Sequence, residues 1–164
     1  MKKSLMLLIA ITSLLFSSCG IIEIAPSHTE GYSSNIDEYS YQGLTLTEVR
    51  LEQVDSIIGG RKLYLWAPWC VHCLVKLDEM NKDAIGERYV MVSTSYDIKR
   101  IHKVLSKRPN LLQGPLYVID AHAYGVTESE RISKFGRELG VDSLRGVPHT
   151  FQKIEGQWTL LKKE

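Results

Sequence analysis

The chain has 164 residues, 44% hydrophobic and 24% charged, an ordinary globular composition with room for one domain and an N-terminal segment. Lys and Arg number 20 against 19 Asp and Glu, a formal charge of +1. Removing Lys2 and Lys3 with a cleaved leader leaves 18 basic against 19 acidic residues, a balance of −1, and so small a charge argues against a nucleic-acid partner.

Met1-Lys2-Lys3 followed by the apolar run Leu5 to Phe16 has the charged start and short hydrophobic stretch of a signal peptide, assigned here to residues 1–18. The run is too short for a membrane span. Ser17-Ser18-Cys19-Gly20 then resembles a bacterial lipobox, with Phe16 where Leu is usual. It makes Cys19 the expected lipidation site, since a lone thiol in an oxidising compartment otherwise needs explaining. Acylation would make the protein anchored rather than spanning. Residues 19–43, with Pro26, Ser27, Gly31, Ser33, Ser34 and Asn35, lack apolar periodicity and read as a tether, leaving 44–164 as the folded domain.

Within that domain Thr47 is the expected N-cap of a helix carrying Leu51, Val54 and Ile58 and ended by Gly59-Gly60. Lys62 to Trp66 reads as a central strand, its mostly apolar run suited to burial on both faces. Pro68 ends it, and Cys70 and Cys73 stand at the head of a helix whose inner stripe is Cys73, Leu77, Met80 and Ala84 and which Gly86 stops. At the helix N-terminus unpaired N–H groups stabilise a thiolate, so Cys70 is the expected reactive sulfur, near the surface. Cys73, one turn on and facing the core, can close a disulfide with it. Tyr89 to Val92 and Leu116 to Ile119 read as further strands, with a helix marked by Ile98, Ile101 and Leu105 between them. Thr127-Glu128-Ser129-Glu130 is a capping box opening a helix with Ile132, Phe135 and Leu139 on one face and Gly140 at its end. Thr150 to Ile154 and Gln157 to Leu161, joined at Glu155-Gly156, read as a hairpin.

Trp66-Ala67-Pro68-Trp69-Cys70-Val71-His72-Cys73 together with Arg145-Gly146-Val147-Pro148 resembles the thioredoxin superfamily, nearest to the envelope-tethered thiol-disulfide oxidoreductases. The resemblance covers roughly residues 44 to 161. It implies an α/β, thioredoxin-like domain with a central mixed sheet flanked by helices. Residues 107–140 would be an inserted strand-helix unit, and the C-terminal helix would be absent or replaced. It implies a redox couple of Cys70 and Cys73 with no other cofactor, exchanging disulfides with protein thiols. A membrane electron donor or acceptor would serve the couple in a periplasm-facing envelope lipoprotein, as reductase or as oxidase or isomerase. Val147 and Pro148, the latter expected after a cis bond, would dock the partner backbone, with Trp66 and Trp69 flanking the site. His72 and Lys76 would tune the thiol acidities. Two positions depart from the family: Tyr64 and Lys76 stand where an acid commonly assists the second cysteine. His149, directly after Pro148, has no assigned role.

A redox-inert or metal-binding thioredoxin-fold module is the alternative. Cys70, His72 and Cys73 could ligate, but structural zinc usually takes four ligands and no second cysteine pair remains, so no metal is expected. A peroxidase of the peroxiredoxin kind is disfavoured by Ala67, where those enzymes carry a threonine.

Overall fold

A computed structural model of the chain describes residues 40–83, 86–112 and 114–161. The stretch expected to be a leader, Cys19 and most of the stretch read as tether lie outside these residues, as does Ala84. The elements, in chain order, are β1 (Ser40–Tyr41), β2 (Leu44–Val49), α1 (Leu51–Ile57), β3 (Lys62–Trp66), α2 (Val71–Lys82), β4 (Tyr89–Ser93), α3 (Ile98–Leu105), β5 (Leu116–Ile119), α4 (Ala121–Tyr124), α5 (Glu128–Glu138), β6 (His149–Ile154) and β7 (Gln157–Leu161). Short 3-10 turns, Gly86–Arg88 and Pro109–Leu111, precede β4 and follow α3.

The strands form one seven-stranded sheet in the order β1-β2-β5-β4-β3-β6-β7. β2, β5, β4 and β3 run parallel, with Leu46 opposite Leu116, Tyr117 opposite Val92 and Leu63 opposite Val90. β6 is antiparallel to β3, placing His149 opposite Leu65, and β7 returns along β6. Ser40 and Tyr41, from the stretch read as tether, pair with Thr45 and Leu44, so the sheet begins there. The result is the expected thioredoxin-like α/β architecture. The strand of the inserted unit, β5, lies between β4 and β2.

Alternation along each strand sorts the core into two layers. Tyr64 and Trp66 of β3 join Cys73, Leu77 and Met80 of α2 and Ile98, Ile101 and Leu105 of α3 on one face. Leu63 and Leu65 join Val54 of α1 and Ile132 and Phe135 of α5 on the other. Each fully buried side chain of this size contributes ~1.5–3 kcal/mol by leaving water, which is why β3, covered on both sides, is the rigid base of the dithiol.

Two expectations are corrected, and one element was not anticipated. Thr47 is not an N-cap but an exposed residue of β2, and Arg50 caps α1 instead. The alternation Leu44-Thr45-Leu46-Thr47, with Leu46 buried and both threonines exposed, is the strand period, and it governs until helical spacing takes over at Leu51. The helix after the dithiol ends at Lys82 with Asp83 as C-cap, ahead of Gly86. And α4, a single turn whose N-cap Asp120 accepts the N–H groups of His122 and Ala123 at 2.8 and 3.2 Å, lies in a stretch assigned no element. The capping box at Thr127 and the hairpin form as expected. The hairpin turn puts both Glu155 (φ 51°) and Gly156 (φ 82°) in the left-handed region, as a two-residue loop matching the strand twist requires.

Candidate functional site

β3 delivers the chain to the edge of the sheet at Trp66, and Ala67-Pro68-Trp69 turns it into α2. Cys70 is the N-cap of α2, in extended conformation, and its Sγ accepts the Cys73 N–H at 3.2 Å. Cys70 and Cys73 are joined as a disulfide with their Cα atoms 5.2 Å apart. The expected N-terminal placement is therefore present, but Cys70 is more enclosed than expected: it is 5% exposed and Cys73 fully buried. The reason is the Gly146-Val147-Pro148 loop, which packs over it. Cys70 Sγ lies 3.4 Å from the Val147 carbonyl oxygen. The Val147–Pro148 peptide is cis.

Of the residues singled out in the sequence, Cys70, Cys73, Trp69, Val147 and Pro148 come together here. His72 is exposed on the outer side of the first turn of α2. Trp66 lies beneath the site, 2% exposed in the same apolar set as Cys73, so it supports the dithiol from the core. The Lys76 ammonium stands 3.0 Å from the Glu79 carboxylate, which offsets its charge locally. Tyr64 is fully enclosed, and its hydroxyl donates to the Cys73 carbonyl at 3.2 Å. Burial, reinforced by the charge of Glu79 and by Tyr89, pushes its pKa well above the ordinary 10.0, so the phenol remains a neutral donor.

His72, Pro148 and His149 also line a groove of about 700 Å³ between α2 and the β6–β7 hairpin, with Lys62, Val75 and Leu160 on its walls. His149 opens β6, its ring 6.4 Å from that of Phe151. Among the described residues no group of three or more His, Cys, Asp or Glu is placed to hold a metal ion, and no helix is long and apolar enough to cross a membrane.

A polar network behind the dithiol was not legible in the sequence. The carboxylate of Glu128, at the start of α5, accepts the Trp69 indole N–H at 3.2 Å and the Thr94 hydroxyl. The Thr94 N–H donates to the Trp66 carbonyl at 2.9 Å, extending the β3–β4 pairing into the site loop. Arg131, 1% exposed, gives Nε and Nη2 to the Thr94 carbonyl and Nη1 to that of Val126, and its guanidinium lies 4.8 Å from the centre of the Tyr96 ring. The Tyr96 hydroxyl donates to Glu48 and accepts the Ala121 N–H at 2.9 Å. Its pKa is raised, first by burial and then by the hydrogen bond to Glu48. In sequence Glu128 and Arg131 belong to a capping box and a polar helix face. The cap itself uses Thr127 and Glu130, which leaves Glu128 to turn inward, and no local signal marks that.

The geometry presents a disulfide pair at a helix N-terminus, with one sulfur beside the Val147 backbone carbonyl and the other fully buried in the core. Such a pair can hold and release two electrons. A scan against protein-family models finds no match for this chain, and a search of the curated proteins finds none either.

Proposed function

We propose that this protein is a thiol-disulfide oxidoreductase of the thioredoxin superfamily that exchanges disulfides with protein thiols in the cell envelope, held to the membrane by a lipid on Cys19. The observation that carries this reading is the Cys70–Cys73 pair capping α2 with the Val147 carbonyl 3.4 Å from the outer sulfur. In the reducing direction the Cys70 thiolate attacks one sulfur of a partner disulfide, and the other partner sulfur leaves as a thiolate and is protonated. Cys73 then attacks Cys70 Sγ, the proton it gives up is taken by the partner thiolate that leaves, and Cys70–Cys73 has taken the two electrons' worth of oxidation. Run backwards, the same steps oxidise a partner dithiol.

The helix N-terminus favours the Cys70 thiolate. The partner chain passes along the Val147-Pro148 edge, with Trp69 flanking the point of attack. A membrane-borne donor or acceptor of electrons resets the couple.

The test equilibrates the protein in graded glutathione or dithiothreitol buffers and counts trapped thiols by mass. A reversible two-electron couple is expected; a potential of about −270 mV or below assigns a reductase and one of about −120 to −180 mV an oxidase or isomerase. Alongside, C73S should accumulate a mixed disulfide through Cys70, whereas C70S should neither accumulate one nor reduce insulin. Absence of a reversible couple would defeat the enzymatic reading in favour of a redox-inert or metal-binding module.

A further inference from the structure

A side chain of the inserted unit, that of Glu128, reaches the dithiol loop. Glu128 is 9% exposed, and a buried carboxylate is costly unless hydrogen-bonded. Its two oxygens are engaged by groups that belong to the site rather than to its own helix: Oε2 by the indole N–H of Trp69 at 3.2 Å and Oε1 by the hydroxyl of Thr94. Thr94 is itself anchored, through its N–H to the Trp66 carbonyl at 2.9 Å and through its carbonyl to Arg131 Nη2 at 2.8 Å. The carboxylate thus ties the residue immediately before Cys70 to a fixed point at the end of β4. Helix capping does not require it, because Thr127 and Glu130 form the box. Its place in the first turn of α5 favours a negative charge there.

We infer that Glu128 is a positioning residue for thiol-disulfide exchange, acting through Trp69 to set the surface on which a protein partner lands beside Cys70. This rests on the exchange reading above. Cys70 Sγ is held independently, by the Cys73 N–H at 3.2 Å and the Val147 carbonyl at 3.4 Å. Loss of Glu128 therefore falls on recognition of a polypeptide and spares the sulfur chemistry. A small disulfide, which needs no landing surface, reports that chemistry alone.

The experiment uses the full chain and compares wild type, E128Q, E128L, W69F and E128L/W69F. KM and kcat are measured for insulin reduction, with the rate on a small aromatic disulfide and the indole N–H resonances of the three tryptophans recorded in parallel. E128L should raise KM for insulin about tenfold, the scale of one lost charge-assisted hydrogen bond, with kcat and the small-disulfide rate unchanged. The Trp69 resonance, identified by its loss in W69F, should move in E128L. E128Q, still able to accept the indole N–H, should stay within about twofold of wild type, and the double variant should be no worse than the worse single one.

An unchanged KM in E128L, equal losses on insulin and the small disulfide, or additive effects in the double variant would overturn the inference. If E128L does not fold, W69F carries the test: it keeps an aromatic ring but loses the donor, so its KM must rise or the inference fails. A wild type with no reversible Cys70–Cys73 couple defeats the exchange reading and this inference with it; an active wild type whose KM is indifferent to Glu128 defeats this inference alone.

Discussion

Arg131→Met probes the buried network that holds the site loop. Arg131 is 1% exposed, and its guanidinium donates from Nη1 to the Val126 carbonyl at 2.7 Å and from Nη2 to the Thr94 carbonyl at 2.8 Å. Hydrogen bonds to a charged group contribute ~1.5–3 kcal/mol each, and carbonyls stripped of their donor add to the loss. Methionine fills comparable volume and relieves the desolvation of a buried cation, which offsets part of this. The net expectation is a destabilisation of ~3 kcal/mol, equivalent to ~10 °C in Tm for a domain of this size. Arg131→Lys keeps the charge but lacks the planar fork that serves two carbonyls at once, so it should fall between the two proteins. The assay is thermal unfolding of the oxidised protein followed by circular dichroism. A Tm for R131M within ~2 °C of wild type would refute the assignment of Arg131 as the buried tie between α5 and Thr94.

Two further substitutions address single contacts. Tyr64→Phe conserves shape and removes the hydroxyl that donates to the Cys73 carbonyl at 3.2 Å, and it should lower stability by ~1 kcal/mol, read as a shift in urea midpoint at unchanged slope; no shift would mean the bond contributes nothing net. For Asp120, burial pushes the carboxyl up, but the hydrogen bond from Arg50 and the N–H groups of Ala123 and His122 outweigh it and hold the pKa below the ordinary 3.8. A lowered folded-state pKa means this contribution is complete above 3.8 and drains away as pH falls through the lower folded value. Because Arg50 is half exposed, D120N should cost only ~0–1 kcal/mol near neutrality, and the difference from wild type should vanish in strong acid; a gap that persists or widens there would contradict the sign.

The strand-turn-helix around Cys70, the Thr127 capping box and the Glu155-Gly156 hairpin were legible because each depends on residues only a few positions apart: an apolar run, a proline, a cap, a turn pair. The same locality explains the error at Thr47, where a four-residue run of strand alternation and a helical spacing overlap and only pairing of Leu46 with Leu116 across the sheet decides between them. From local periodicity and caps the sequence by itself determined an α/β chain with a dithiol at a helix N-terminus, while the Val147-Pro148 segment was expected to meet it through the family resemblance alone. Only the tertiary structure decided that β5 lies between β4 and β2, that the Val147 loop encloses Cys70 from 77 positions away, and that Glu128 reaches Trp69 across 59. Those contacts arise because a buried polar group must find a partner wherever the packing of distant elements brings one, and no spacing along the chain records that.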